Sequence, residues 1–141
     1  MATRADILRI ARSWIGVPFA HQGRTRRGVD CVGLVVMVAR ELGISDYDFT
    51  RYERRPDGSF LTHFRANATE RARVADARPG DLMVLADSLY PCHVAIRAEQ
   101  RGEPTLIHAL AAPPYRRVCE TLYAPDAPRV RFAFVLPGVE D

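Results

Sequence analysis

The sequence predicts an α+β fold. Helical periodicity dominates the first half of the chain and strand-like runs dominate the second. Short links join those runs, which points to an antiparallel sheet with the helices packed on it. The chain has 141 residues, so a single domain spanning 1–141 is expected. A chain of this size buries about two-thirds of its unfolded surface, enough for a real core.

Each element has its own signal. Ile7, Ile10, Ala11, Trp14 and Ile15 recur at helical spacing, predicting an amphipathic helix over about 4–15 with Thr3 and Asp6 as its cap. The loop 16–30 is rich in Gly and Arg. An apolar helix is expected over 31–42, with Gly43 as its stop. Residues 44–60 mix aromatics and charges around the turn Pro56-Asp57-Gly58 and read as irregular. Leu61, Phe64, Ala68 and Ala72 give helical spacing across 61–75. Pro79-Gly80 opens the strand half, with strands at 82–86, 93–98, 104–110 and 130–136. Pro125 and Pro128 mark a late loop.

Composition excludes several functions. Apolar residues make up 48% and charged residues 26%, as in ordinary globular domains. No apolar run approaches the ~20 residues that span a bilayer, so no membrane insertion is expected. The first 15 residues interleave acids and arginines and lack a cleavage pattern, so synthesis in the cytoplasm without a signal peptide is expected. All 20 basic residues are arginine, consistent with GC-rich codon usage, and the net charge is only +3. That charge is dispersed, with no basic helix and no interleaved aromatics, so nucleic-acid binding is not expected. Three cysteines without C-x-x-C or H-E-x-x-H predict neither a disulfide scaffold nor a metal site or other cofactor.

Cys31 is the candidate nucleophile. It follows a polar loop ending at Asp30 and opens an apolar helix, where unpaired N–H groups and the helix dipole favour a thiolate. A lone Cys is usually a small buried apolar residue. Two strand-borne histidines, His93 in C-H-V-A-I and His108 in L-I-H-A-L, shift the balance. A helix-start Cys with distant His partners is the outline of a papain-type nucleophile. His93 would take the thiol proton and His108 would orient the His93 ring. Cys119 reads as a bystander and His63 as an exposed helix residue. Arg24, Arg26 and Arg27 crowd the loop before Cys31 and are expected to rim the cleft, where they would receive carboxylates.

Asp30-Cys31-x-Gly33-Leu34-Val35, Pro79-Gly80-Asp81-Leu82, His93-Val94-Ala95-Ile96 and His108-Ala109 occur in that order. The series resembles the NlpC-like cell-wall cysteine peptidases, a branch of the papain-like fold. The run Gly16-Val17-Pro18-Phe19 resembles the family's Gly-x-Pro-Tyr loop. The resemblance covers roughly residues 5–110. It implies a peptidoglycan endopeptidase cleaving stem-peptide amide bonds through Cys31, His93 and His108. Phe19 stands where the family commonly has a Tyr hydroxyl, and His21 is expected to replace that polar function from the same side. The family's Ser after Cys is Val32 here. The resemblance implies that Asp30 helps to hold the stem peptide. The loop Pro18-Phe19-Ala20-His21-Gln22-Gly23 resembles that of the small wall peptidases of phage tails and gene-transfer particles. That implies a particle component docking on tail hub or baseplate proteins and opening the wall for DNA delivery. Two surfaces are candidates for docking: 44–60, with Tyr47, Phe49, Tyr52, Arg51, Arg54 and Arg55, and 112–128, with Tyr115 and Tyr123. A catalytically inert tail protein on the same fold and a Cys–His amidase or acyltransferase remain alternatives.

Overall fold

A computed structural model describes residues 2–50, 52, 59–87 and 90–140. The turn Pro56-Asp57-Gly58 and residues Arg51, Arg54 and Arg55 lie outside the described residues.

The chain begins with β1 (Ala2–Thr3) and α1 (Arg4–Ser13), followed by a small hairpin of β2 (Arg24–Thr25) and β3 (Gly28–Val29). Next come α2 (Cys31–Glu41), α3 (Phe60–Asn67) and β4 (Thr69–Glu70). The strand half holds β5 (Leu82–Asp87), β6 (Tyr90–Gln100), β7 (Glu103–Ala109), β8 (Val118–Leu122), β9 (Val130–Val135) and β10 (Val139–Glu140). Six of these strands form one antiparallel sheet in the order β4-β9-β5-β6-β7-β8. β1 and β10 pair in parallel and bring the two ends of the described chain together. The expected α+β plan, with the Cys helix packed on an antiparallel sheet, is the observed one.

Local chemistry explains the element ends. Thr3 and Asp6 form a reciprocal capping box at α1, each side chain bonded to the other's backbone N–H at 3.1 Å. Gly43 follows the last turn of α2 in the left-handed region at φ 69°. The helix expected across 61–75 stops at Asn67. Ala68 is extended, and β4 follows at once to pair with β9. Pairing at the sheet edge overrides the helical spacing of Ala68 and Ala72. The sequence reading passed over β8. Its five residues, Val-Cys-Glu-Thr-Leu, alternate their faces but follow the exposed, Pro-bearing stretch 111–117.

The sheet has two faces. Val84, Val94, Ile96, Ile107 and Phe134 pack with Leu34, Val35 and Val38 of α2 in the main core. Met83, Leu85, Ala95, Leu106 and Ala133 form a smaller cluster on the other face. His93 pairs with Leu85, and His108 shares β7 with Leu106 two residues away, so strand alternation puts both imidazoles on the second face. The register between β5 and β6 slips at Leu85/Ala86, leaving Cys92 as the extra residue just before His93. A bulge of this kind re-aims the neighbouring side chain.

The Pro79-Gly80-Asp81 run is structural. Gly80 sits at φ 96°, which a side-chain-bearing residue adopts only with strain. The fully buried Asp81 carboxylate accepts from Arg4 at 2.7 Å, Arg71 at 2.9 Å and the Arg78 N–H at 2.9 Å. It thereby ties α1 to the start of β5.

Residues 44–50 and Tyr52 are folded inward more than a docking surface requires. Phe49 stacks on His63 at 3.8 Å with the rings nearly parallel, and the Tyr47 hydroxyl meets His63 Nδ1 at 2.6 Å. His63 is therefore half-buried, in place of the exposed residue expected. Of this segment's aromatics Tyr47 is exposed, and Tyr115 is exposed in the second candidate stretch. Tyr123 lies under the Arg97 guanidinium.

Removing Asp81 should be costly, because it takes a shared buried carboxylate from two largely buried arginines. Asp81→Ala is expected to lose about 3 kcal/mol, the low end for a broken buried pair because both arginines keep some solvent. Urea unfolding measures this, and Cys31 reactivity should stay unchanged in the folded variant.

Candidate active site

Cys31 is the first residue of α2, and Asp30 is its N-cap. The Asp30 carboxylate is buried and takes four donors. The Gly33 N–H donates at 2.7 Å and Arg24 Nη1 at 3.2 Å to one oxygen. The Gln22 N–H donates at 2.7 Å and the Tyr52 hydroxyl at 2.5 Å to the other. Gly33 matters because the loop before α2 passes against it: a Cβ there would lie 2.3 Å from the Gly23 carbonyl oxygen. The Asp-Cys-x-Gly spacing thus gives a cap, a thiol at the helix start and a close crossing.

The thiol faces three backbone N–H groups, those of Val94, Val32 and Cys31 itself. Two are the unpaired donors of the helix start. The third belongs to the peptide bond joining His93 to Val94, which makes the His93 backbone the thiol's neighbour. His93 Nε2 lies 2.8 Å from His108 Nδ1, and His108 Nε2 lies 2.9 Å from the Thr121 hydroxyl. The three residues come from β6, β7 and β8, side by side in the sheet. His93 and Cys31 are half-buried and His108 is 2% exposed.

The electrostatics differ from the expected thiolate. Burial pushes the Cys31 thiol up to about 12; the Asp30 charge adds to this, and the three N–H groups only partly oppose it. Burial lowers His93 to about 3, with the positive charges of His108 and Arg129 contributing. Burial also lowers His108 to about 4; Asp126 opposes the shift and Arg129 reinforces it. Burial thus disfavours charge on the thiol and on both imidazoles alike. The helix-start donors are present as expected, but desolvation outweighs them.

The remaining expected site residues separate. Arg24 reaches the site as a brace. Its guanidinium bonds Asp30, Asp48 at 3.0 Å, the Phe49 carbonyl at 2.9 Å and the Tyr52 hydroxyl at 3.0 Å. Arg26 and Arg27 form the tip of the β2–β3 hairpin. Arg26 folds over Trp14 and bonds Glu41 at 3.1 Å. Glu41 lies ten residues along α2, about 15 Å from Cys31. Arg26 therefore does not rim the thiol, and the exposed Arg27 shares its hairpin tip. Asp30 is a cap whose two oxygens are fully engaged, which removes it as a receptor for substrate. Phe19 is half-buried against the main core, its backbone bridging to Val29. His21 and Phe19 do not share an extended face. Residues 20–23 form a tight turn closed by Gly23 N–H to the Ala20 carbonyl at 2.8 Å, with Gln22 at φ 60°. His21 instead packs edge-on to Tyr52 at 5.5 Å. Tyr52, expected on a docking surface, instead donates to Asp30. Thr121 carries no motif, and only the alternation of β8 points to it. Among the described residues, no group of three or more His, Cys, Asp or Glu converges to hold a metal ion. No helix there is long and apolar enough to cross a membrane.

The NlpC/P60 family profile matches residues 16–123. The chain belongs to the NlpC/P60 family. Its curated relative "Probable endopeptidase NlpC" of Escherichia coli is 53% identical over 30 residues, 21% of this chain and 20% of that protein. The match thus spans about one-fifth of that relative's length. The NlpC/P60 domain of the peptidoglycan hydrolase SagA superposes with a TM-score of 0.67 at 22% identity, covering 96% of this chain and all of that one. NlpC2 of Trichomonas vaginalis gives 0.70 at 16% identity, covering 97% and 48% of the two chains. An NlpC/P60 family protein of Bacillus cereus gives 0.68 at 19% identity, covering 93% and 39%. At these identities the superpositions establish an NlpC/P60 fold.

Two measurements test the electrostatics. Alkylation of Cys31 by iodoacetamide should rise with a midpoint above the free-thiol value of about 8.5; a midpoint below it would show a preformed ion pair. Acid stability gives the second. An unfolded-state imidazole titrates near 6.5, above the folded values for His93 and His108. Below about 6.5 the unfolded chain then binds more protons, so stability falls as pH drops towards 4 and 3. Urea unfolding between pH 7 and 4.5 should show a shallower loss in His93→Asn/His108→Asn than in the wild type.

Proposed function

We propose that this chain is a cysteine peptidase of the bacterial cell wall that hydrolyses amide bonds in peptidoglycan stem peptides. The observation that carries the reading is the imidazole pair, 2.8 Å apart, on strands that follow a cysteine at the first turn of α2 whose thiol faces the N–H of Val94, the residue after His93. Family membership supports the same chemistry.

Cys31 Sγ attacks the amide carbon as its proton passes to His93 Nδ1, the ring nitrogen not committed to His108. The helix-start N–H groups receive the oxyanion as sulfur leaves them for carbon. His93 then gives the proton to the departing amine, and a thioester remains. Water attacks the thioester, His93 takes its proton, and the carboxylic acid departs as Sγ regains that proton. Because thiol and imidazole start neutral, proton transfer accompanies attack instead of preceding it.

The setting is proposed as the tail of a phage-like particle, with tail hub or baseplate proteins as neighbours. Its support is the likeness of the Pro18-Phe19-Ala20-His21-Gln22-Gly23 loop to such enzymes, together with exposed Tyr47 and Tyr115. Purified particles should contain the protein in fixed copies; recovery only as free protein overturns this setting without touching the chemistry.

Digestion of purified peptidoglycan, with product masses read out, tests the activity. Cys31→Ala should abolish hydrolysis, by about 10⁴-fold or more, with circular dichroism unchanged. His93→Ala should cost more than His108→Ala, since only His93 moves the proton. Cys92→Ala and Cys119→Ala should retain activity. Full hydrolysis by a folded Cys31→Ala protein sinks the assignment.

A further inference from the structure

A neutral imidazole pair raises a question that two charged rings would not: which nitrogen carries each proton. His93 and His108 share one hydrogen bond, so one ring donates and the other accepts. In one arrangement His93 Nε2–H donates to His108 Nδ1, and His108 must then carry its own proton on Nε2. That proton points at the Thr121 hydroxyl, 2.9 Å away. His93 Nδ1 is left bare and able to accept a proton. In the opposite arrangement His108 Nδ1–H donates, His93 Nε2 accepts, and His93 Nδ1 is already protonated. That second arrangement leaves no base for the thiol.

We propose that Thr121 is a positioning residue of this site: its hydroxyl accepts the His108 Nε2–H and so holds both rings in the tautomers that leave His93 Nδ1 free. Thr121 acts through His108 and touches no reacting atom. The proposal deepens the peptidase reading and rests on it only for the activity measurement.

Strand geometry puts the hydroxyl where it is needed. His108 pairs directly with Cys119, and Thr121 pairs with Leu106. Thr121 is thus the diagonal neighbour of His108 on the same face of the sheet, within side-chain reach. Cys119, directly opposite, offers only a weak sulfur acceptor. Glu120, between them, points to the other face, where it pairs with Arg12 at 3.0 Å and accepts from Thr105 at 2.6 Å. That bond network ties β8 to α1 and β7 and fixes the strand carrying Thr121. The buried His108 ring has no other recorded hydrogen-bond partner for Nε2 among the described residues. An unpaired Nε2–H there would be left desolvated. Two charges act on the pair, with Arg129 opposing protonation of both rings and Asp126 favouring it on His108.

Nitrogen-15 NMR of the imidazoles reads the tautomers directly, without any wall substrate. Wild-type His93 and His108 should both be neutral with the proton on Nε2 near pH 7.5. Thr121→Val keeps the shape and removes the hydroxyl. It should move His108 towards the Nδ1–H form and slow alkylation of Cys31, read by peptide mass, by about ten- to hundredfold. Thr121→Ser should restore both. A wild-type His108 protonated on Nδ1 overturns the proposal even if Thr121→Val fails to fold. Unchanged tautomers and alkylation in a folded Thr121→Val protein overturn it as well. If the wild type shows these tautomers and rates but leaves peptidoglycan intact, the peptidase reading fails and the role of Thr121 stands.

Discussion

A buried carboxylate with four donors holds the rest of the site in place. Asp30 takes an N–H from its own helix, an N–H and a guanidinium from the loop before it, and a hydroxyl from Tyr52. An unpaired charge at that depth would cost several kcal/mol, so every donor is required. Arg24 is the key partner, because its guanidinium also bonds Asp48 and the Phe49 carbonyl. One cation therefore joins the helix cap to the segment that packs over it. Burial and the Asp30 bond both keep the Tyr52 proton in place by raising that hydroxyl's pKa. Nothing in the cluster is left to bind a substrate amine. A carboxylate one residue before Cys31 has become part of the frame.

The same carboxylate disfavours ionisation of the thiol beside it. The Asp30 charge and burial both disfavour a thiolate at Cys31, while three N–H groups favour one. A pKa unit is worth about 1.4 kcal/mol, so a thiol raised to about 12 faces a cost of several kcal/mol for ionising alone at neutral pH. His93 faces a comparable cost for accepting a proton. The two costs offset when the charges form together, because each ion then has the other as its partner. On the proposed peptidase reading, burial favours a concerted step over a preformed ion pair.

Much of this was legible in the sequence. Periodicity marked α1 and α2, the Thr3–Asp6 pair marked a cap, and the strand contexts of His93 and His108 marked two residues that the sheet brings within hydrogen-bond distance. Those features depend on neighbours in the chain, or on the family likeness. What stayed hidden depends on residues far apart. Arg24 reads as a cleft-rim cation until Asp30, Asp48 and Tyr52 surround it. Arg26 looks equivalent to it, yet the two-residue hairpin turns its side chain towards Trp14 and Glu41. The helical spacing of Ala68 and Ala72 was real but lost to pairing at the sheet edge. β8 follows the exposed stretch 111–117, and so Thr121 was missed with it.

The sheet's two faces show why these hidden parts are needed. α2 packs against the face of Val94 and Ile96, while alternation places His93 and His108 on the face of Leu85, Ala95 and Leu106. The thiol and the imidazoles therefore belong to different layers. The thiol faces the Val94 N–H, two residues past the β6 bulge at Cys92. A small shift of the helix start would carry the thiol past the strand. Packing on the main face fixes the helix axis but only weakly fixes how far its first turn extends. Asp30 and its donors fix that position on one side, and Thr121 with β8 fixes the ring pair on the other. The reactive atoms are held by the edges of two layers, so both edges need polar ties that the apolar core cannot provide.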